Sequence, residues 1–95
     1  MTSKQRKFLR SKAHQLKPVI IIGKSSINTS TYRTFDHCLN KHELIKVKFN
    51  NFKDTKQDVL EKINSKLNFE TVGIIGNTAI IFRQNKNAED QIYKL

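Results

Sequence analysis

Residues 19–49 read VIIIGKSSINTSTYRTFDHCLNKHELIKVKF, and this stretch decides the fold. It opens with Val19-Ile20-Ile21-Ile22, a β-branched run expected to form a short strand covered on both faces. Gly23-Lys24-Ser25-Ser26 follows as a turn. Asn28, Thr29 and Ser30 offer helix caps, because their side-chain oxygens can take the free amides of a first turn. A helix from about Ser30 to Asn40 places Thr31, Tyr32, Phe35, Cys38 and Leu39 on an inner face. Arg33, His37 and Lys41 recur at four-residue steps outside. Leu44 to Phe49 alternates, with Ile45, Val47 and Phe49 on one side and Leu44, Lys46 and Lys48 on the other. That pattern is a half-exposed strand. Strand, helix and strand in this order form a right-handed crossover between parallel strands.

The flanks extend the unit. Thr2 and Gln5 fit a capping box for a helix running to about Leu16 or Lys17, stopped by Pro18. Phe8, Leu9, Ala13 and Leu16 share one sector of that helix, its core face. Arg6, Arg10 and Lys17 lie opposite, with Lys4, Lys7 and His14 beside them. Lys12 intrudes on the apolar sector, where its methylenes can pack while the ammonium reaches water. Downstream, Asp54 caps a third helix to about Leu67, with Val59, Leu60, Ile63 and Leu67 inward and Asp58 four residues before Lys62 outside. Glu70 to Ile75 and Thr78 to Arg83 read as two strands closed by a tight hairpin at Gly76-Asn77. Residues 84–95 are mostly polar with one late apolar pair, Ile92 and Tyr93, and are expected to fray or to dock as a short helix. The order is α-β-α-β-α-β-β. It predicts a compact single α/β domain with a four-stranded mixed sheet packed against helices.

Charge is distributed unevenly. Residues 1–50 carry eleven Lys or Arg against two acids, whereas residues 51–95 carry seven against six. The net charge of +10 therefore sits almost wholly in the first half. An all-positive face repels itself unless a polyanion relieves it, so the asymmetry points to nucleic acid or an anionic surface. A solvated face would intersperse both signs, as the third helix does. The single cysteine, Cys38, cannot close an internal disulfide and fits a reducing compartment. The polar start is not read as a signal peptide, and no apolar run is long enough to span a membrane. A cytoplasmic soluble monomer is expected.

Gly23-Lys24-Ser25 resembles the tail of a phosphate-binding P-loop, but that motif needs a glycine where Pro18 stands. The turn can still present free amides and the Lys24 charge to a phosphate at a helix start. The plain alternative is that Gly23 only permits the chain reversal. His14, His37, His42 and Cys38 do not converge as zinc ligands. No nucleophile, base and orienting group can be assembled, so neither an enzyme, a cofactor nor a small-molecule substrate is expected. Phe52 and Tyr32 are the loose aromatics with any claim to base stacking.

The stretch from Thr2 to Val19 running into Ile22-Gly23-Lys24, together with His42-Glu43-Leu44-Ile45-Lys46-Val47-Lys48 and Ile75-Gly76-Asn77-Thr78-Ala79-Ile80-Ile81-Phe82-Arg83, resembles the CRM domain of the YhbY-like proteins. The similarity is collinear over about residues 2–83. It implies an RNA-binding domain with a fold similar to the C-terminal domain of translation initiation factor three. Stand-alone bacterial members are associated with precursors of the large ribosomal subunit. The family's GxxG turn maps onto Gly23, Lys24, Ser25 and Ser26, with serine in place of the second glycine. Serine resists positive φ and holds the backbone further from a phosphate, or offers its hydroxyl instead.

The reading that results is an RNA-binding protein engaging structured ribosomal RNA. Lys4, Arg6, Lys7, Arg10, His14 and Lys17 would contact phosphates, Gly23 to Ser26 would hold one at the second helix, and Arg33, Lys41, Lys46 and Lys48 would extend the patch if they face the same way. An architectural DNA-binding protein and a module that docks an acidic ribosomal protein are the alternatives, because charge alone does not separate them.

Overall fold

Thr2 and Gln5 cap the first helix as their spacing requires. Thr2 Oγ1 accepts the Gln5 amide at 3.1 Å, and Gln5 Oε1 accepts the Thr2 amide at 2.9 Å. Helix α1 spans Ser3–Ala13 in the computed structural model, which describes residues 1–23, 27–50 and 56–95. It ends before the expected Leu16. The Leu16 amide donates to the Ala13 carbonyl at 2.9 Å, a tightened last turn ahead of Pro18, which disfavours helical geometry at Lys17.

The remaining elements are β1 (Ile20–Ile22), α2 (Thr29–His42), β2 (Leu44–Phe49), α3 (Lys56–Leu67), β3 (Glu70–Ile75) and β4 (Thr78–Phe82). Asn28 caps α2 by accepting the Thr31 amide at 3.1 Å. The expected cap of α3, Asp54, lies outside the described residues, as does Phe52. The sheet order is β1-β2-β4-β3, with β1 parallel to β2 and β4 antiparallel to both its neighbours. β3 thus runs in the same sense as β2 but does not pair with it, because the hairpin strand β4 fills the slot between them. Gly76 turns that hairpin at φ +58, a conformation that costs glycine little.

Alternation along the strands gives the sheet two apolar faces. On one, Ile20, Ile22, Ile45, Val47, Phe49, Ala79 and Ile81 pack with Phe35 and Leu39 of α2 and Leu60 and Ile63 of α3. On the other, Leu44, Val72, Ile80 and Phe82 pack with Leu9 and Ala13 of α1. The molecule is three layers, with α1 on one side and α2 and α3 on the other. Phe35 is fully buried, and truncating it to alanine would cost about 3–5 kcal/mol.

Two packing expectations are corrected. β1 is covered on one face only: Ile20 and Ile22 are buried, while Val19 is 47% and Ile21 62% exposed. β1 is an edge strand, and α1 packs over the other end of the sheet, so among the described residues no helix lies over Val19 and Ile21. Phe8 is not a core residue either, being 39% exposed. Its ring instead lies 5.5 Å from the Lys12 ammonium, a cation–π contact at the helix surface.

The tail after β4 does not fray. It passes through a 3-10 turn at Ala88–Asp90 and returns to Glu43, which is fully buried at the α2–β2 junction. Glu43 Oε2 accepts the Asn85 amide, and Oε1 accepts the amides of Ile92 at 2.7 Å and Tyr93 at 3.0 Å. The expected Asp58–Lys62 ion pair is not formed. Among the described residues the ion pair is Arg83–Asp36, at 2.9 Å.

Candidate nucleic-acid interface

Helix α1 is held by Leu9 and Ala13, which turns its other sides outward. Lys4, Lys7, Arg10, Lys12, His14 and Lys17 are exposed, and Arg6 is half-buried. Position along the helix explains this: Lys4, Lys7 and His14 project roughly opposite Leu9, and Arg6 and Arg10 project along one flank. No acid lies in α1. The two acids of the first fifty residues are both committed elsewhere. Glu43 is buried against the tail, and Asp36 is bonded to Arg83. Among the described residues no cation of α1 is in an ion pair, and the acid on the α1 side of the sheet is the exposed Glu70, paired with Phe82.

Strand register shows which other cations share that side. On the α1 face, Lys46 stands opposite Ile80, and Ile80 opposite Gly73. One step along, Ile21, Lys48, Thr78 and Ile75 form a continuous row across all four strands. Arg10 comes down onto this same face. Its Cδ lies 3.5 Å from where a Cβ on Gly73 would be, so the missing side chain seats the arginine stem. Lys46, Lys48 and Arg10 thus join the α1 cations on one layer.

The rest of the expected patch divides. Arg33 and Lys41 are exposed on α2, which belongs to the opposite layer, so they do not extend the α1 surface. Gly23 sits at the end of β1, at the border between layers, and a Cβ there would meet nothing within 4 Å. Lys24, Ser25 and Ser26 lie outside the described residues. Beyond them, the α2 cap is already engaged, since the Thr31 amide is bonded to Asn28. A cavity of about 230 Å³ lies beside this end, lined by Ile20–Ile22, Gly23 and Ile27 with Asn28, Ser30, Thr31 and Thr34. Tyr32 packs against the larger core, and the Lys66 ammonium sits over its ring at 4.7 Å.

Cys38 is half-buried against the larger core, and burial pushes its thiol pKa upward despite the Lys41 charge. A raised thiol pKa is the opposite of what a nucleophile needs. Among the described residues no group of three or more His, Cys, Asp or Glu is placed to hold a metal ion. No helix among them is long and apolar enough to cross a membrane.

Glu43 and the bare apolar row were missed by reasoning from sequence. A lone acid in a basic segment gave no signal of burial. A run of four β-branched residues gives none of which face is covered.

A family model described as the CRS1 / YhbY (CRM) domain matches residues 1–83. The chain belongs to the CRM domain family. Among CRM relatives, the "Probable RNA-binding protein YqeI" of Bacillus subtilis (strain 168) is 37% identical over 87 residues, covering 90% of this chain and 91% of that protein. An RNA-binding protein of Haemophilus influenzae is 31% identical over 93 residues, covering 97% and 94%. The fold is also that of the hypothetical protein SAV1595 from Staphylococcus aureus, solved in solution, with a TM-score of 0.76 at 36% identity over 96% of each chain. The CRM match stops at Arg83, so the tail that Glu43 holds lies beyond it.

Proposed function

We propose that this CRM protein binds RNA, without catalysing a reaction, through the layer built by α1 and the β2 lysines. It acts in the cytoplasm as a monomer on structured ribosomal RNA during large-subunit assembly. The observation that carries the reading is the uncompensated charge of α1: Lys4, Lys7, Arg10 and Lys12 are exposed along a helix that holds no acid, and among the described residues none of them is in an ion pair. Such a surface gains free energy by releasing counterions from a phosphate backbone. The names of the relatives support RNA as that polyanion. Phosphate contacts from lysines and arginines position a protein without reading bases, so recognition rests on backbone and shape, with 2′-hydroxyls separating RNA from DNA.

Titration of labelled ribosomal RNA fragments against salt tests this. Neutralising about five phosphates gives a log–log slope on the order of −3.5, at about 0.7 per contact. A slope near zero sinks the mechanism. Competition by duplex DNA at equal strength would favour an architectural DNA-binding role. RNA bound no better than heparin would favour docking to an acidic protein.

A further inference from the structure

The row Ile21–Lys48–Thr78–Ile75 is left uncovered by every helix. Ile21 is 62% and Ile75 67% exposed, and Val19, in the next row beside Lys46, is 47% exposed. Three of the six large apolar side chains exposed among the described residues thus share one face. We infer that this uncovered end of the sheet takes the bases and riboses of an unpaired RNA segment, whose phosphates run onto Lys46, Lys48 and α1. The inference rests on the RNA-binding reading and specifies what kind of RNA the surface fits.

Three observations carry it. First, the two rows hold lysines and apolar side chains with no carboxylate, which matches a ligand carrying phosphates beside flat, poorly hydrated faces. Second, the row is continuous with the cationic helix, because Arg10 of α1 lies over Gly73 in the adjacent row. Third, a second copy fits poorly. An isologous contact would gather four lysines, Lys46 and Lys48 of each copy, into one interface with no carboxylate in these rows to offset them, and like charges in apposition are costly. A duplex also gains little here, since its stacked bases hide the surfaces that isoleucines would touch. Unpaired bases expose theirs, and a four-stranded sheet has room to display two or three of them.

The full chain is titrated with labelled oligouridine and with a blunt RNA duplex at several salt concentrations, beside the double variant Ile21→Ser, Ile75→Ser. Both side chains are exposed, so an unchanged melting curve is expected. A second variant, Thr78→Asp, puts a carboxylate into the row without removing apolar surface. The double variant is expected to lose about tenfold in oligouridine affinity, as when a stacking surface is removed, with its salt slope intact and duplex binding unchanged. Thr78→Asp should weaken oligouridine more than duplex. Oligouridine binding equal to that of the parent in both variants overturns the inference while leaving the RNA reading standing. So does an equal loss on both ligands. A parent that binds neither oligouridine nor the duplex overturns the inference, and one that also fails to bind the ribosomal RNA fragments overturns the RNA reading with it. A parent dimer that the double variant dissociates assigns the face to a second copy and overturns the inference.

Discussion

Glu43 Oε1 accepts the Tyr93 amide at 3.0 Å, joining residues fifty positions apart. The Tyr93 ring then meets Phe82 edge-on at a centroid distance of 6.2 Å, so the same contact closes the end of the α1 core. Glu43 holds φ +62 and ψ −52, a rarely occupied conformation for a non-glycine residue that the three accepted amides hold in place.

Glu43→Gln tests this clamp. The amide nitrogen of the variant would face the Asn85 amide donor to donor, or the pair at Ile92 and Tyr93 if flipped. A loss of about 1–3 kcal/mol is expected in chemical denaturation, the usual cost of an unmade buried hydrogen bond. Hydrogen exchange should speed up at Ile92 and Tyr93 before the sheet amides change. Unchanged exchange there would mean the tail is held by its apolar contacts alone.

Lys7→Glu should reduce both RNA affinity and the steepness of its salt dependence, by roughly one to two phosphate contacts. Lys62→Glu, on α3 in the opposite layer, should alter both much less. Equal effects would show that total charge matters and that the α1 surface has no special part. Lys7 suits this test better than Arg10, whose stem also packs on Gly73.

Arg83→Met removes a structural cation. Its guanidinium donates to the Leu67 carbonyl at 3.0 Å, to the Asp36 carboxylate at 2.9 Å and to Asn40 Oδ1 at 2.8 Å, tying β4 to α2 and α3. Its side chain is only 20% exposed, so a stability loss of about 1–3 kcal/mol is expected in thermal or denaturant melts. RNA affinity at low temperature should stay near the parent's, since the residue lies away from the α1 layer.

Cys38 and Tyr93 set an alkaline limit. Burial raises both pKa values, so the folded chain holds these protons at pH values where the unfolded chain has released them. Stability from this source is complete below the ordinary thiol range and declines as pH rises through the ordinary thiol range and then the ordinary phenol range. A melting series from pH 7 to 11 should fall first through the thiol range, and Cys38→Ala should remove that first step. Alkylation of Cys38 at pH 8 should be slower than that of a free thiol, because the thiolate is the reacting species.

Local signals carried most of the fold. Thr2 with Gln5, the alternation from Leu44 to Phe49, and Gly76-Asn77 each fix structure through neighbours within a few residues, and each element formed where its pattern lay. The all-positive character of α1 was equally legible, since it needs only the absence of acids nearby. Phe8 and Ile21 were misjudged for one common reason. An apolar residue at helical or strand spacing is buried only if another layer reaches it, and the sequence does not say how far α1 extends across the sheet.

By itself, the sequence determined the element order, the mixed sheet and a basic amino-terminal half, because capping, periodicity and charge act over short distances. Tertiary structure decided which cations share a side. Placing β4 between β2 and β3 and setting α1 against α2 and α3 separates Arg33 and Lys41 from Lys46 and Lys48. It also decided that Glu43 would be buried and Asp36 paired with a structural arginine, since their partners at Tyr93 and Arg83 are more than forty residues away in the chain.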